Sequence, residues 1–343
     1  VFPHTTQVPS TVFNQNNRIE NCSVKKANVG IYSTGSTTSL PSTGLVVTQN
    51  DISATGTDRV SRNAVLIANE TNPQVTFNKV NIQNISSSDS ETVGLAIGST
   101  SANSDSVASG GISGALVANN WITGVYSNVD LGGATVGIAI SGTAFGTPNI
   151  IRNNMISKVS GIAQHNYHVA GIWVTGAVAS ETKIYNNSIH LYGDRGSRSN
   201  QSPSYGIGIS GLDPSVEIKN NIVVTTQIAT GGGYVKTYAL GTKSTTFNNL
   251  ISDHNVFYSG GVQDGGFRSG AMKNNLGTDY ASIDAWRSAT SRDANSVEIL
   301  PVFAANDDLH LAFGSNPTIE GIGTPIASVT NDMDCQPRST TNP

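Results

Sequence analysis

IRNNMI at Ile151–Ile156, IYNNSI at Ile184–Ile189 and IKNNIV at Ile218–Val223 are one phrase written three times: an aliphatic residue, two variable positions, Asn, one variable position, and a second aliphatic. Working outward, VANNWI ending at Ile122, VTFNKV ending at Val80 and VTQNDI ending at Ile52 repeat it. IENCSV, ending at Val24, fits with Cys22 in the Asn slot, and SDHNVF, ending at Phe257, fits without its first aliphatic. The slot residues are Cys22, Asn50, Asn78, Asn120, Asn154, Asn187, Asn221 and Asn255, at successive intervals of 28, 28, 42, 34, 33, 34 and 34. Spacing this even marks an internal repeat.

Between these phrases lies a second one, an apolar strand usually opened by Gly: VGIY from Val29, VGLAI from Val93, VGIAI from Val136, AGIWV from Ala170, YGIGI from Tyr205 and a degenerate YALGT from Tyr238, with AVLI from Ala64 filling one further slot. Each phrase alternates apolar and other residues at period two. A single coil therefore carries a short apolar stripe that it cannot bury alone. Stacking coil on coil at ~4.8 Å buries it. Asn suits the corner between strands because it tolerates the left-handed backbone and can bond the same groups one coil above and below. The slot residues are expected to form a ladder.

Composition agrees. Of 343 residues, 36 are Gly, 12% are charged and 6% aromatic, too apolar and regular for disorder and too poor in helix formers for an all-α fold. The net charge of −4 with scattered Lys and Arg gives no footprint for a phosphate backbone, so nucleic acid is not an expected partner. No apolar run reaches the ~20 residues of a membrane span. The reading is an all-β, right-handed parallel β-helix. Coils are expected over 1–260, and a C-terminal coil and cap over 261–343, in one continuous domain read as part of a longer chain. ASIDAWRSAT places Ile283, Ala285, Trp286 and Ala289 at helical spacing behind Ser282 as N-cap. This predicts a short helix near 282–290 that lays Trp286 over the last coil.

The recurring NN phrases, the Gly-opened strands and the closing segment, DYASIDAWRSATSRDANSV from Asp279, LPVFAANDDLHLAFGSNPTIEGIGTPI from Leu300 and NDMDCQPRSTTNP from Asn331, resemble the pectate-lyase-like β-helix superfold in the form common among secreted and surface proteins of Bacteroidetes. In that group a similar ending continues into an Asp-Ile-Gly-Ala motif. The resemblance implies an extracellular or cell-surface location and says little about activity, because the superfold hosts lyases, hydrolases, adhesins and spacers.

Candidate sites must come from outward residues. If Leu95, Ile138, Ile172, Ile207 and Leu240 point inward, Gly94, Ala96, Gly137, Ala139, Gly171, Trp173, Gly206, Gly208, Ala239 and Gly241 point out, a flat face with one aromatic. Trp173 is its binding candidate, since an exposed indole can stack on a sugar ring. Two positions before each slot lies another outward stripe: Thr48, Thr76, Ala118, Arg152, Tyr185, Lys219 and Asp253. Arg152, Tyr185, Lys219 and Asp253 are the catalytic candidates, because two cations and a phenol are the equipment for neutralising a uronate and abstracting its α-proton; the competing reading is a solvated face.

His165 and His168 in AQHNYHVAG, and Asp194, Arg195 and Arg198 in YGDRGSRSN, read as loop residues. No cofactor is expected. Calcium is the one ion the Asp runs would suit, at Asp307 and Asp308 or, with better spacing, at Asp332 and Asp334. Cys22 and Cys335 lie too far apart along the axis to pair, with Cys22 read as a buried cap on the ladder. The expected function is a non-catalytic surface or secreted module contacting polysaccharide or other surface proteins; the alternative is a polysaccharide lyase acting on acidic polysaccharide.

Overall fold

The computed structural model describes residues 14–85, 91–98, 111–128, 133–162, 167–197, 201–231 and 233–341. Its strands stack in register as three sheets, parallel except for the strand Thr278–Tyr280, which pairs antiparallel, and each coil visits them in turn. Sheet A carries the Gly-opened phrase, for example Thr135–Gly142 on Val169–Gly176 on Ser204–Ile209. Sheet B holds the residues leading into each slot, such as Asn149–Arg152, Glu181–Tyr185 and Ser215–Lys219. Sheet C takes those that follow, such as Met155–Ser157, Ser188–Leu191 and Ile222–Thr225. The fold is a parallel β-helix solenoid.

The ladder stands at the corner between sheets B and C. From Asn50 to Asn221, each slot residue donates its backbone N–H and its Nδ2 to the Oδ1 of the next slot residue, at 2.9 to 3.1 Å, ending on Asn255. All of these Asn residues are buried. At one end, the backbone N–H of Cys22 donates to Asn50 Oδ1 at 3.1 Å. Its side chain is exposed, which corrects the expectation of a buried cap: the slot is held by backbone there, and the thiol turns outward. At the other end, Ser296 Oγ accepts the N–H of Asn255 at 2.9 Å and donates to Asp293 at 2.6 Å.

The left-handed backbone belongs to the residue before each slot, not to the slot residue. Asn21, Gln49, Phe77, Asn119, Asn153, Asn186, Asn220 and His254 all have φ between 53° and 59°. That turn aims the following Asn inward, where its amide satisfies backbone groups that are otherwise stranded at the corner.

Sheet A corrects the reading of its faces. Leu95, Ile138, Ile172, Ile207 and Leu240 do point into the core. So do the preceding glycines: a Cβ on Gly137 would lie 2.6 Å from the carbonyl of Gly171 and 2.7 Å from the core side chain of Ile156. Ala239, in the matching place, is a core residue too. The strand kinks there, so the true outward columns are Val93, Val136, Ala170, Tyr205 and Tyr238, and beside it Ala96, Ala139, Trp173, Gly208 and Gly241.

The helix forms as read, over Ile283–Thr290, with Ser282 Oγ accepting from the N–H of Ala285. Trp286 is fully buried, stacked on Phe267 with ring centroids 5.5 Å apart, and donates to Asp293 at 2.9 Å. Ala285 and Ala289 face solvent, and Thr290 takes the third buried position. Trp286 therefore closes the last coil. Among the described residues, no helix is long and apolar enough to cross a membrane.

Beyond the short strand Val297–Glu298, the chain forms a strap that doubles back along the corner between sheets B and C. His254 Nδ1 meets the carbonyl of Ile322 at 2.7 Å. Asn220 donates to the carbonyl of Thr324 at 2.7 Å and accepts its N–H at 2.9 Å. Asn153 donates to the carbonyl of Asn331 at 2.7 Å and accepts from Arg338 at 3.1 Å. Asn119 donates to the carbonyls of Asp332 and Met333 at 3.0 Å each. The strap thus crosses the coils in reverse order. It carries Cys335 to the coil of Arg152, and both cysteines remain free and exposed.

Candidate functional site

The outward stripe assembles in register: Arg152 pairs with Tyr185, Tyr185 with Lys219, and Lys219 with Asp253. Its chemistry is already consumed. The Tyr185 hydroxyl donates to Glu217 at 2.7 Å, and Lys219 forms an ion pair with the same carboxylate at 2.7 Å. Burial first, then the bond and charge of Glu217, push the Tyr185 phenol far up. It does not ionise near neutrality. Glu217 opposes the desolvation that would raise it and, bonded to Lys219 and Tyr185, stays below the usual carboxylate range. Arg152 is half-buried, and desolvation lowers it. Asp253 is held by the backbone N–H of Asn295 at 2.6 Å and its side-chain amide at 2.8 Å; against desolvation, these bonds keep it low. The Tyr185 hydroxyl and the Lys219 amino group are both turned to Glu217, so neither is presented to a substrate as a base.

Trp173 is not on an open face. It is 1% exposed, stacked against His168 at 4.5 Å and tilted against Tyr205 at 5.8 Å. Gly208 leaves the space its ring fills. The small residues around it, read as open platform, are the socket for the indole. His168 is buried in the same group; His165 and Arg198 lie outside the described residues. Arg195 is buried, and desolvation lowers its pKa to about 10.

Sheet A also closes on a charge cluster the sequence reading did not single out. The Arg268 guanidinium, fully buried, reaches Tyr234 at 2.7 Å, Tyr238 at 2.8 Å and Asp279 at 2.6 Å. Asp279 also accepts from Lys236 at 2.8 Å. Arg268 and Asp279 bond each other and the tyrosines within the cluster, which joins the strand Asp264–Ser269 to Thr278–Tyr280. That is a structural clamp.

Among the described residues, a recess that combines shape with polarity lies under the strap. It has a volume of about 250 Å³, with Asn153, Asn186 and Asn220 along one side, Met155, Ile222, Leu309 and Leu311 supplying apolar wall, and His310, Asp332, Asp334 and Arg338 completing the rim. His310 bridges two carboxylates, Nδ1 to Asp308 at 2.5 Å and Nε2 to Asp334 at 2.8 Å. Desolvation lowers its affinity for a proton, but the bonds to the two carboxylates outweigh it and raise the pKa. The bond from His310 lowers Asp308.

These two carboxylates sit on opposite ring nitrogens and share no common point with the imidazole. Asp332 Oδ1 accepts the N–H groups of Asp334 and Gln336, at 2.9 and 2.8 Å, so it folds the strap's own turn. The carbonyl of Asp307 takes the indole N–H of Trp121 at 3.0 Å. Among the described residues, no group of three or more His, Cys, Asp or Glu is arranged to hold a metal ion.

Within the recess Asn186 stands apart. Its neighbours in the left-handed row, Asn153 and Asn220, are bonded to strap backbone; its own Oδ1 is shielded from solvent without a hydrogen-bond partner among the described residues. Compared with known proteins, the chain matches no family model, no curated protein and no solved structure at a significant level.

Proposed function

We propose that this chain is a non-catalytic, extracellular or cell-surface β-helix module of the pectate-lyase-like kind found in Bacteroidetes, and that it contacts glycans through the recess between its strap and its coils. The observation that carries this reading is the recess itself. Side-chain amides, charged rim groups and an apolar wall converge on a space of about 250 Å³, the mixture that orients a small polar ligand. The lyase alternative would rest on Arg152, Tyr185 and Lys219, and the capture of the phenol and the ammonium by Glu217 counts against it.

Titration of the protein with mono- and oligosaccharides, followed by amide chemical shifts, tests the reading. Shifts are expected to cluster on residues 309–311 and 332–334, and to vanish when the half-exposed wall residue Leu311 is enlarged by Leu311→Trp. In parallel, pectate, alginate and glycosaminoglycans with and without calcium are expected to give no unsaturated uronate product. Turnover that Tyr185→Phe abolishes would instead establish the lyase.

A further inference from the structure

The strap shows what the left-handed Asn row recognises. At Asn119, Asn153, Asn220 and His254 a side chain of the row meets a peptide group, and Asn153 also accepts from the Arg338 side chain. Asn220 makes the fullest version, donating to the carbonyl of Thr324 at 2.7 Å and accepting its N–H at 2.9 Å. Asn153 and Asn119 donate to strap carbonyls, and His254 meets one more. Asn186 has the same left-handed backbone, φ 54°, and the same place one coil along, yet among the described residues no strap peptide reaches its amide. A shielded carbonyl oxygen without a donor costs free energy comparable to a lost hydrogen bond, and this one belongs to a residue that lines the recess.

From this we infer that the recess takes an N-acetylated sugar, its acetamido group presenting to Asn186 the donor and acceptor that Thr324 presents to Asn220. This rests on the glycan-contacting reading above and specifies its ligand. An acetamido group is a secondary amide like the peptide unit: its carbonyl accepts from Nδ2, and its N–H meets Oδ1 once the side chain turns that shielded oxygen into the recess. Its methyl group has Met155, Ile222 and Leu309 to pack against. The ring hydroxyls face Arg338 and the carboxylates of the rim. The volume, about 250 Å³, lies just below the usual range of ligand pockets and suits nothing larger than a single sugar ring.

The test compares N-acetylglucosamine, glucose and N-acetyl-alanine N-methylamide by chemical-shift titration of the wild-type protein and of Asn186→Gly. That substitution suits the left-handed backbone and removes the side chain with its amide. N-acetylglucosamine is expected to bind about ten-fold more tightly than glucose, and Asn186→Gly is expected to erase the difference without lowering the melting temperature. Equal binding of both sugars at the recess, unaffected by Asn186→Gly, would overturn the acetamido assignment and leave the glycan reading standing. Silence of the recess toward both sugars would remove the glycan reading as well. Binding of the acetylated dipeptide analogue alone would overturn both in favour of a peptide ligand.

Discussion

The coils and the strap solve the same problem, satisfying backbone at the corner between sheets B and C, by opposite means. On the inside, the ladder repeats one residue type at one register, so every amide bonds to a copy of itself. On the outside, the strap offers mostly backbone to a row of side chains, with the Arg338 side chain added at Asn153. The inner solution is periodic, buried and shared along the whole stack. The outer one is aperiodic, partly exposed and made of separable contacts. The two should therefore fail differently.

Replacing the central Asn154 by Leu is the sharpest break. Its amide accepts two bonds from Asn120 and donates to Asn187 and to the carbonyl of Val117. Removing it leaves several buried groups unpaired, at about 1–3 kcal/mol for a typical group. A loss of about 3–5 kcal/mol is expected in chemical denaturation, with one cooperative transition. A loss below about 1 kcal/mol would mean that the ladder adds little to the stack.

Asn220→Gly probes the outer solution. It preserves the left-handed turn and deletes the two-point bond to Thr324. A loss of about 1 kcal/mol or less is expected, together with faster amide exchange confined to residues 322–326. Exchange that spreads into sheets B and C would show strap and coils to be one cooperative unit.

The smallest effect concerns pH. His310 has a folded pKa raised above its unfolded value, so its contribution is fully present below the unfolded value and lost as pH rises through the folded one. Asp308 is lowered, so its share is present above its unfolded value and lost as pH falls through the folded one. The clasp on Asp334 is thus expected to be tightest between these limits. It is worth less than about 1 kcal/mol because the groups are exposed and screened. Protection factors at 332–334, which remove the base-catalysed rise of intrinsic exchange, should fall at the alkaline limb in the wild type and lose that dependence in His310→Gln; an unchanged alkaline limb would assign it to another group.

Most of the inner solution was legible in the sequence. Asn120, Asn154, Asn187 and Asn221 announce the ladder because a buried amide tolerates little else, and the stripe Arg152, Tyr185, Lys219 and Asp253 fell into register because the phrase fixes the phase of sheet B. Sheet A was misphased because alternation at period two was carried through a kink: Gly94 and Leu95 both face inward, which no simple alternation permits. The same error placed Trp173 in solvent. The left-handed row was visible as the first Asn of each NN doublet and was read as variable; its tolerance of positive φ was the signal. The strap had no comparable mark, since its main-chain groups make most of its contacts, across 104 residues between Thr324 and Asn220 and 213 between Asp332 and Asn119.

The reversed course of the strap has a mechanical meaning. A pull on its downstream end loads the contacts at Asn119 and Asn153 before those at Asn220 and His254, so they open in succession, as a zip does, each at low force. The coils themselves, bonded along the axis by whole strands, carry load in parallel. Stretched from that end, the molecule would pay out its strap as slack while the solenoid kept its length.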